Sequence, residues 1–147
     1  MIKVSLKNII SSVRKIAEKY PDVVYINTIP GKTTCSYCYG GANDEGCIIG
    51  QAIKLAYPEL YDIIAGIEKG NIVCDINRDY AEKSLQHSPT ICSFIKELIR
   101  EKFIETEESD ISLMLNWLQS IQNKQDGCCV DLGWKQIVTQ VDDIIKV

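Results

Sequence analysis

The sequence predicts an α+β chain: a mostly helical single domain of five or six helices with a short antiparallel β-hairpin near the N-terminus. Three observations point there. Apolar residues recur at three- and four-residue spacing along most of the chain, the mark of helices with one buried stripe. Two β-branched and aromatic runs, Val23–Thr28 and Thr33–Tyr39, flank Pro30-Gly31-Lys32, the pattern of two strands joined by a turn. No repeat, low-complexity tract or linker divides the 147 residues, a length that suits one core.

Ser5 is placed to cap a first helix, Leu6 to Tyr20, whose stripe is Leu6, Ile9, Ile10, Val13, Ile16, Ala17 and Tyr20. Pro21 ends it. After the hairpin, Cys47 to Tyr57 reads as a second helix closed by Pro58. Glu59 to Lys69 reads as a third, with Leu60, Ile63, Ile64 and Ile67 inward and Gly70 at its end. Residues 71–88 are the least regular, with a short strand expected at Asn71–Ile76 and a helical turn at Asp79–Leu85. Ser88-Pro89 marks the first turn of a fourth helix that reaches about Ile104. Glu105 to Glu108 is expected to be a solvated link without a specific role. Ser109 then caps a fifth helix carrying Ile111, Met114, Leu115, Leu118 and Ile121, ended by Gln125-Asp126-Gly127. Asp131 caps the last, where Trp134, Ile137, Val138, Val141, Ile144 and Ile145 keep the helical period.

A net charge of −4, with basic residues scattered along the chain, disfavours duplex nucleic acid, which needs a basic face. A local cationic pocket is compatible with this balance. No apolar run approaches the ~20 residues of a membrane span, and the N-terminal stretch lacks a small-residue cleavage site. The expected setting is therefore cytoplasmic, with the seven cysteines held as thiols.

The most informative stretch is Thr33 to Ala56. A strand-like run feeds a loop in which four glycines fall within eleven residues, and the chain passes directly into an apolar helix at Cys47-Ile48-Ile49-Gly50. Free backbone N–H groups at a helix start suit an anion. The expected ligand contacts are Gly46 and Cys47 for phosphate, Gln51 and Gln125 for polar recognition, and Tyr37, Tyr39 or Trp134 for stacking. Lys32 or Lys54 would supply a cation. Gly50 inside the helix lets a ligand or a neighbouring chain segment come close.

Each feature has a plainer counterpart. The glycines serve as turn residues, the aromatics as core, and Gln119, Gln122, Gln125 and Asp126, which would otherwise recognise a base or sugar, as a solvated helix face. Cys35, Cys38 and Cys47 have the look of a partial zinc set, completed by His87, Cys92, Cys128 or Cys129, or else of small buried hydrophobes. Cys47 with His87 would be the nucleophile and base of a hydrolase or transferase. No cofactor or metal is expected.

Four pieces in order are familiar: Pro21-Asp22-Val23-Val24-Tyr25, Cys35-Ser36-Tyr37, Gly46-Cys47-Ile48-Ile49-Gly50-Gln51-Ala52-Ile53, and Gln122-x-x-Gln125-Asp126-Gly127 followed by Trp134. This arrangement resembles a group of small uncharacterised phage and prophage proteins, notably those of actinobacteria. The chain departs from the group at Cys38, where the group carries an aliphatic residue, and in a longer segment before Trp134. The resemblance implies a viral accessory protein acting in the cytoplasm of a bacterial host. In that setting the first expectation is a non-catalytic, counter-defence protein that sequesters a phosphate-bearing small molecule, a nucleotide-type immune signal, as a homo-oligomer. The alternatives are an inhibitor or assembly subunit that binds a host protein, and the cysteine enzyme.

Overall fold

The computed structural model describes residues 1–25, 36–38, 46–76, 89–126 and 132–147. Within them lie six helices: α1 (Leu6–Lys19), α2 (Ile48–Ala56), α3 (Pro58–Glu68), α4 (Ile91–Arg100), α5 (Ile111–Asp126) and α6 (Trp134–Ile144). Two short strands, β1 (Ile2–Lys3) and β2 (Ile104–Glu105), form a small sheet. None of the described helices is long and apolar enough to cross a membrane.

The helices follow their stripes. α1 buries Leu6, Ile9, Ile10, Val13, Ile16 and Ala17, and Ser5 caps it by accepting the Asn8 N–H at 3.3 Å. It runs antiparallel to α2. The Ser5 N–H and the Asn8 amide at its start donate to the Tyr57 hydroxyl just past the end of α2. Ile16 and Tyr20 at its other end lie beside Gln51, near the start of α2. α1 also packs on α5 and α6, and α4 packs on α5. Arg14 ties three helices together: it donates to Asp142 of α6 at 2.8 and 3.2 Å and lies 5.2 Å from the ring of Trp117 on α5. The Trp117 indole N–H donates to the same carboxylate at 2.9 Å.

The expected antiparallel hairpin is corrected: the sheet among the described residues is parallel, pairing Ile2 with Ile104 and Lys3 with Glu105. Residues 26–35 and Tyr39 lie outside the described residues. The described parts of the two runs, Val23–Tyr25 and Ser36–Cys38, contain no strand. The reason is where their N–H groups go. Ser36 donates to the Tyr25 hydroxyl, and Tyr37 and Cys38 donate to the two carboxylate oxygens of Glu68, each at 3.0 Å. Donors engaged by side chains are not available to a ladder.

Element ends shift for similarly local reasons. Thr90 rather than Ser88 caps α4, accepting the Ser93 N–H. That helix stops at Arg100, short of Ile104, and Lys102 at φ +62° redirects the chain into β2. Asp110 rather than Ser109 accepts the first bond of α5, from the Met114 N–H. Asn71–Ile76 contains no strand, and the Ile72 N–H folds back onto the Gly66 carbonyl at 3.0 Å. Asp79–Leu85, Gly127 and Asp131 lie outside the described residues; Gly133 stands at the N-cap of α6.

Glu105–Glu108 is no idle link. Glu105 pairs in β2, while Glu108 accepts the Ser5 hydroxyl and the N–H groups of Leu6 and Lys7 at 2.6–3.0 Å. A carboxylate at a helix start satisfies orphan donors and meets the positive end of the dipole.

Candidate functional site

The start of α2 faces inward. Cys47 stands at its N-cap in extended backbone and supplies no side-chain bond. The Cys47 N–H donates to the Ser36 carbonyl at 3.0 Å. The Ile48 N–H, first in the helix, donates to Gln125 Oε1 at 3.2 Å. Gly46 takes φ +94°, and a Cβ there or at Gly50 would overlap the Tyr37 carbonyl. The close approach that Gly50 permits is therefore made by the Tyr37 backbone.

Tyr37 is fully buried and sits edge-on to Phe94, ring centroids 5.4 Å apart. Its hydroxyl donates to the Pro89 carbonyl at 2.6 Å and accepts from Gln122 Nε2 at 2.8 Å. Gln122 Oε1 in turn accepts the Ile91 N–H that opens α4, and Gln119 accepts the Cys92 N–H. The glutamines expected on a solvated face of α5 are thus internal caps for two other helices, with Gln122 and Gln125 only 4% and 6% exposed.

No family model, curated protein or solved structure matches the chain.

The fold brings Tyr37, Gly46, Cys47 and Gln125 together, as one buried hydrogen-bonded core. Trp134 is 2% exposed and its backbone N–H binds the Val23 carbonyl. Among the described residues its indole N–H has no partner. Tyr39 and Lys32 lie outside the described residues. Sequence reasoning missed Glu68, 1% exposed, whose carboxylate receives the Tyr37 and Cys38 N–H groups. A signal existed, since Glu68 follows Leu60 and Ile64 at four-residue steps on the buried stripe of α3.

Gln51 and Lys54, two of the expected contacts, line a surface concavity. A groove of about 270 Å³ runs between the last turn of α1 and the outer face of α2, lined by Ile16, Lys19, Tyr20, Gln51, Lys54 and Leu55. Lys19 and Lys54 are exposed and Gln51 is half-buried. The Lys19 ammonium lies 5.3 Å from the Tyr20 ring, and the Lys54 ammonium 5.4 Å from Tyr61. Among the described residues no carboxylate lines the groove. A second concavity, of about 220 Å³, has the opposite character, with Lys3 among Glu105, Glu107 and Glu108.

Cys38 and Cys47 are poorly placed for chemistry. Cys47 is fully buried. Burial pushes the Cys38 thiol up, and the Glu68 carboxylate and the neighbouring Cys47 add to the effect. A raised thiol carries little thiolate at neutral pH. Cys35, His87, Cys128 and Cys129 lie outside the described residues. Among the described residues no group of three or more His, Cys, Asp or Glu could hold a metal.

Proposed function

We propose that the chain is a non-catalytic binding protein that captures a phosphate-bearing small molecule in the groove between α1 and α2. The observation that carries this reading is charge placement. On a chain of net charge −4, the described lining of this groove includes two lysines and no acidic residue. Two lysines beside one hollow attract an anion more strongly than a single surface lysine does, because their fields add. Ile16 and Leu55 supply apolar wall, and the Tyr20 ring a flat one. Ligand sites commonly combine such walls with a few placed polar groups.

Lys19 and Lys54 each stand in the last turn of their helix, where an ammonium offsets the C-terminal carbonyls, and the phosphate belongs between them. Burial of Cys47 supports binding without turnover. The biological setting that goes with this reading is a phage accessory protein that withholds a nucleotide-type signal from host immunity in the bacterial cytoplasm. The resemblance in sequence motifs supports that setting. Self-association belongs to the same proposal, as a means of closing the groove over a larger ligand.

A thermal-shift panel of mononucleotides, cyclic nucleotides and pyrophosphate tests the ligand class. A ligand at 100 times its Kd stabilises by about 2.7 kcal/mol, and the shift should vanish in the Lys19→Glu/Lys54→Glu variant. No stabilisation by any member of the panel would sink the reading.

A second reading, a protein-binding inhibitor, is favoured by the acidic concavity at the β1–β2 edge. Glu108 is committed to α1 there and Glu107 lies 3.8 Å from the exposed Lys3 ammonium, a surface pair that a basic partner could displace to reach Glu105 and Glu107. Capture of a host protein that is lost on Glu105→Lys/Glu107→Lys substitution, with no nucleotide response, would select it.

A further inference from the structure

We infer that the chain forms a two-fold dimer along the seam of α1 and α2, in which lysines at the end of α1 meet the acidic β1–β2 edge of the second copy. This names the surfaces of the self-association proposed above and needs no ligand in the groove. The two concavities lie at opposite ends of the seam. Ser5 and Tyr57 line the acidic one, where α1 begins and α2 ends. Ile16, Lys19, Tyr20 and Gln51 line the other, where α1 ends. The 14 residues of α1, at about 1.5 Å of rise each, hold them roughly 20 Å apart. Exposed charges are screened beyond about 10 Å at moderate salt, so neither patch neutralises the other within one chain.

Each patch has charge to spare. Lys15 and Lys19 are exposed and stand one turn apart on α1, and among the described residues neither forms an ion pair. Glu18 between them is engaged by Lys135 at 3.4 Å. Lys54, in the lining of the same groove, lies over the Tyr61 ring, and the pairing does not depend on it. At the other patch the Glu107 side chain is 88% exposed, and its 3.8 Å pair with Lys3 is of the surface kind that contributes little. Glu105 lines the same concavity, half-buried, while Glu108 stays committed to the start of α1.

A second copy is the occupant that answers both patches at once. A two-fold axis across the seam lays the two α1 helices antiparallel, so that each copy's lysines face its partner's acidic edge. The contact is then made twice and closes on itself, as isologous interfaces do. A parallel arrangement would set lysines on lysines and carboxylates on carboxylates, which like-charge repulsion disfavours. Leu55, 53% exposed, and the Tyr20 ring are apolar surface that the partner removes from water. Gln51 gives that wall a fixed shape, its Nε2 donating to the Gly46 carbonyl at 3.2 Å.

Sedimentation equilibrium of the intact chain, without ligand, tests this. A dimer is expected at low salt, with dissociation at least about tenfold easier once the Debye length falls to about 3 Å at 1 M salt. Lys15→Glu/Lys19→Glu and Glu105→Lys/Glu107→Lys should each be monomeric alone, because symmetry places every change at both contacts. Mixed in equal amounts they should pair as a heterodimer, since each reversed patch then meets its complement. Circular dichroism equal to that of the wild type shows that both are folded, and the wild-type salt series holds without them. A wild type that stays monomeric at low salt, a mass that climbs past the dimer, a dimer indifferent to either reversal, or a mixture that stays monomeric overturns the inference. Each leaves capture of a small molecule, read by thermal shift, standing.

Discussion

The carboxamide of Gln125 on α5 accepts the N–H of Ile48, the first residue of α2, at 3.2 Å in the protein interior. A donor that sequence alone leaves open to an anion is thus satisfied from within the chain. The same helix does this twice, because Gln122 receives the N–H of Ile91 at the start of α4 at 2.8 Å. α5 works as an internal capping post, and the polar interior it builds positions Gly46 and, through it, Gln51.

Gln125→Leu is expected to leave the Ile48 N–H buried and unpaired, at a cost of about 1–3 kcal/mol. Urea denaturation checks it. A change below about 0.5 kcal/mol, the scatter of ordinary surface substitutions, would show that water or another group replaces the cap.

Gly50→Ala separates two kinds of helical glycine. At Gly50 the new methyl would overlap the Tyr37 carbonyl, which is backbone and cannot step aside. The loss should reach about 1–3 kcal/mol or more. Gly66→Ala is the control: its Cβ would meet only the Ile72 side chain, 2.7 Å from Cδ1. There the ~1 kcal/mol gain in helix propensity should offset the crowding. Equal losses at both positions would contradict the packing described.

Stability should fall in acid. Burial alone would raise the Glu108 carboxyl, but bonds from the Lys7 N–H, the Ser5 hydroxyl, the Leu6 N–H and the Thr106 hydroxyl outweigh it and hold the group below its usual range. Asp142 follows the same pattern: burial is outweighed by Arg14 and the Trp117 indole. A folded-state pKa below the unfolded one contributes stability that is complete above the unfolded value, about 4, and is lost as pH falls through the folded value. Denaturation midpoints should therefore hold above about pH 5 and drop below it. Glu108→Gln should lower the plateau and flatten the drop; an unchanged profile would deny the cap its role.

Cys38 and Cys47 should resist alkylation in the native protein at pH 7.5 and react only on unfolding, as peptide mass spectrometry would show. Rapid modification of Cys47 under native conditions would revive the nucleophile reading.

Much of the helical architecture was legible because burial imposes a period, and Leu6, Ile9, Ile10, Val13, Ile16 and Ala17 of α1 are all buried as spaced. The N-cap at Ser5 was legible for the same local reason. What escaped was long-range. β1 and β2 are two residues each, too short to leave an alternation, and they pair across the length of the chain. Gln122 and Gln125 read as solvated because nothing local shows that the starts of α4 and α2 abut them. Gln51 was named from its place one turn inside α2. Its groove was not legible, because Lys19 and Tyr20 reach it only through the antiparallel packing of α1 on α2.

Amide chemical-shift mapping of the ¹⁵N-labelled protein, titrated with AMP and with pyrophosphate, tests capture in the groove most directly. The expected result is saturable shifts centred on Lys19, Tyr20, Gln51, Lys54 and Leu55, with Gly46 to Ile48 displaced only secondarily. Shifts centred instead on the acidic β1–β2 edge, or none with either compound, would contradict it.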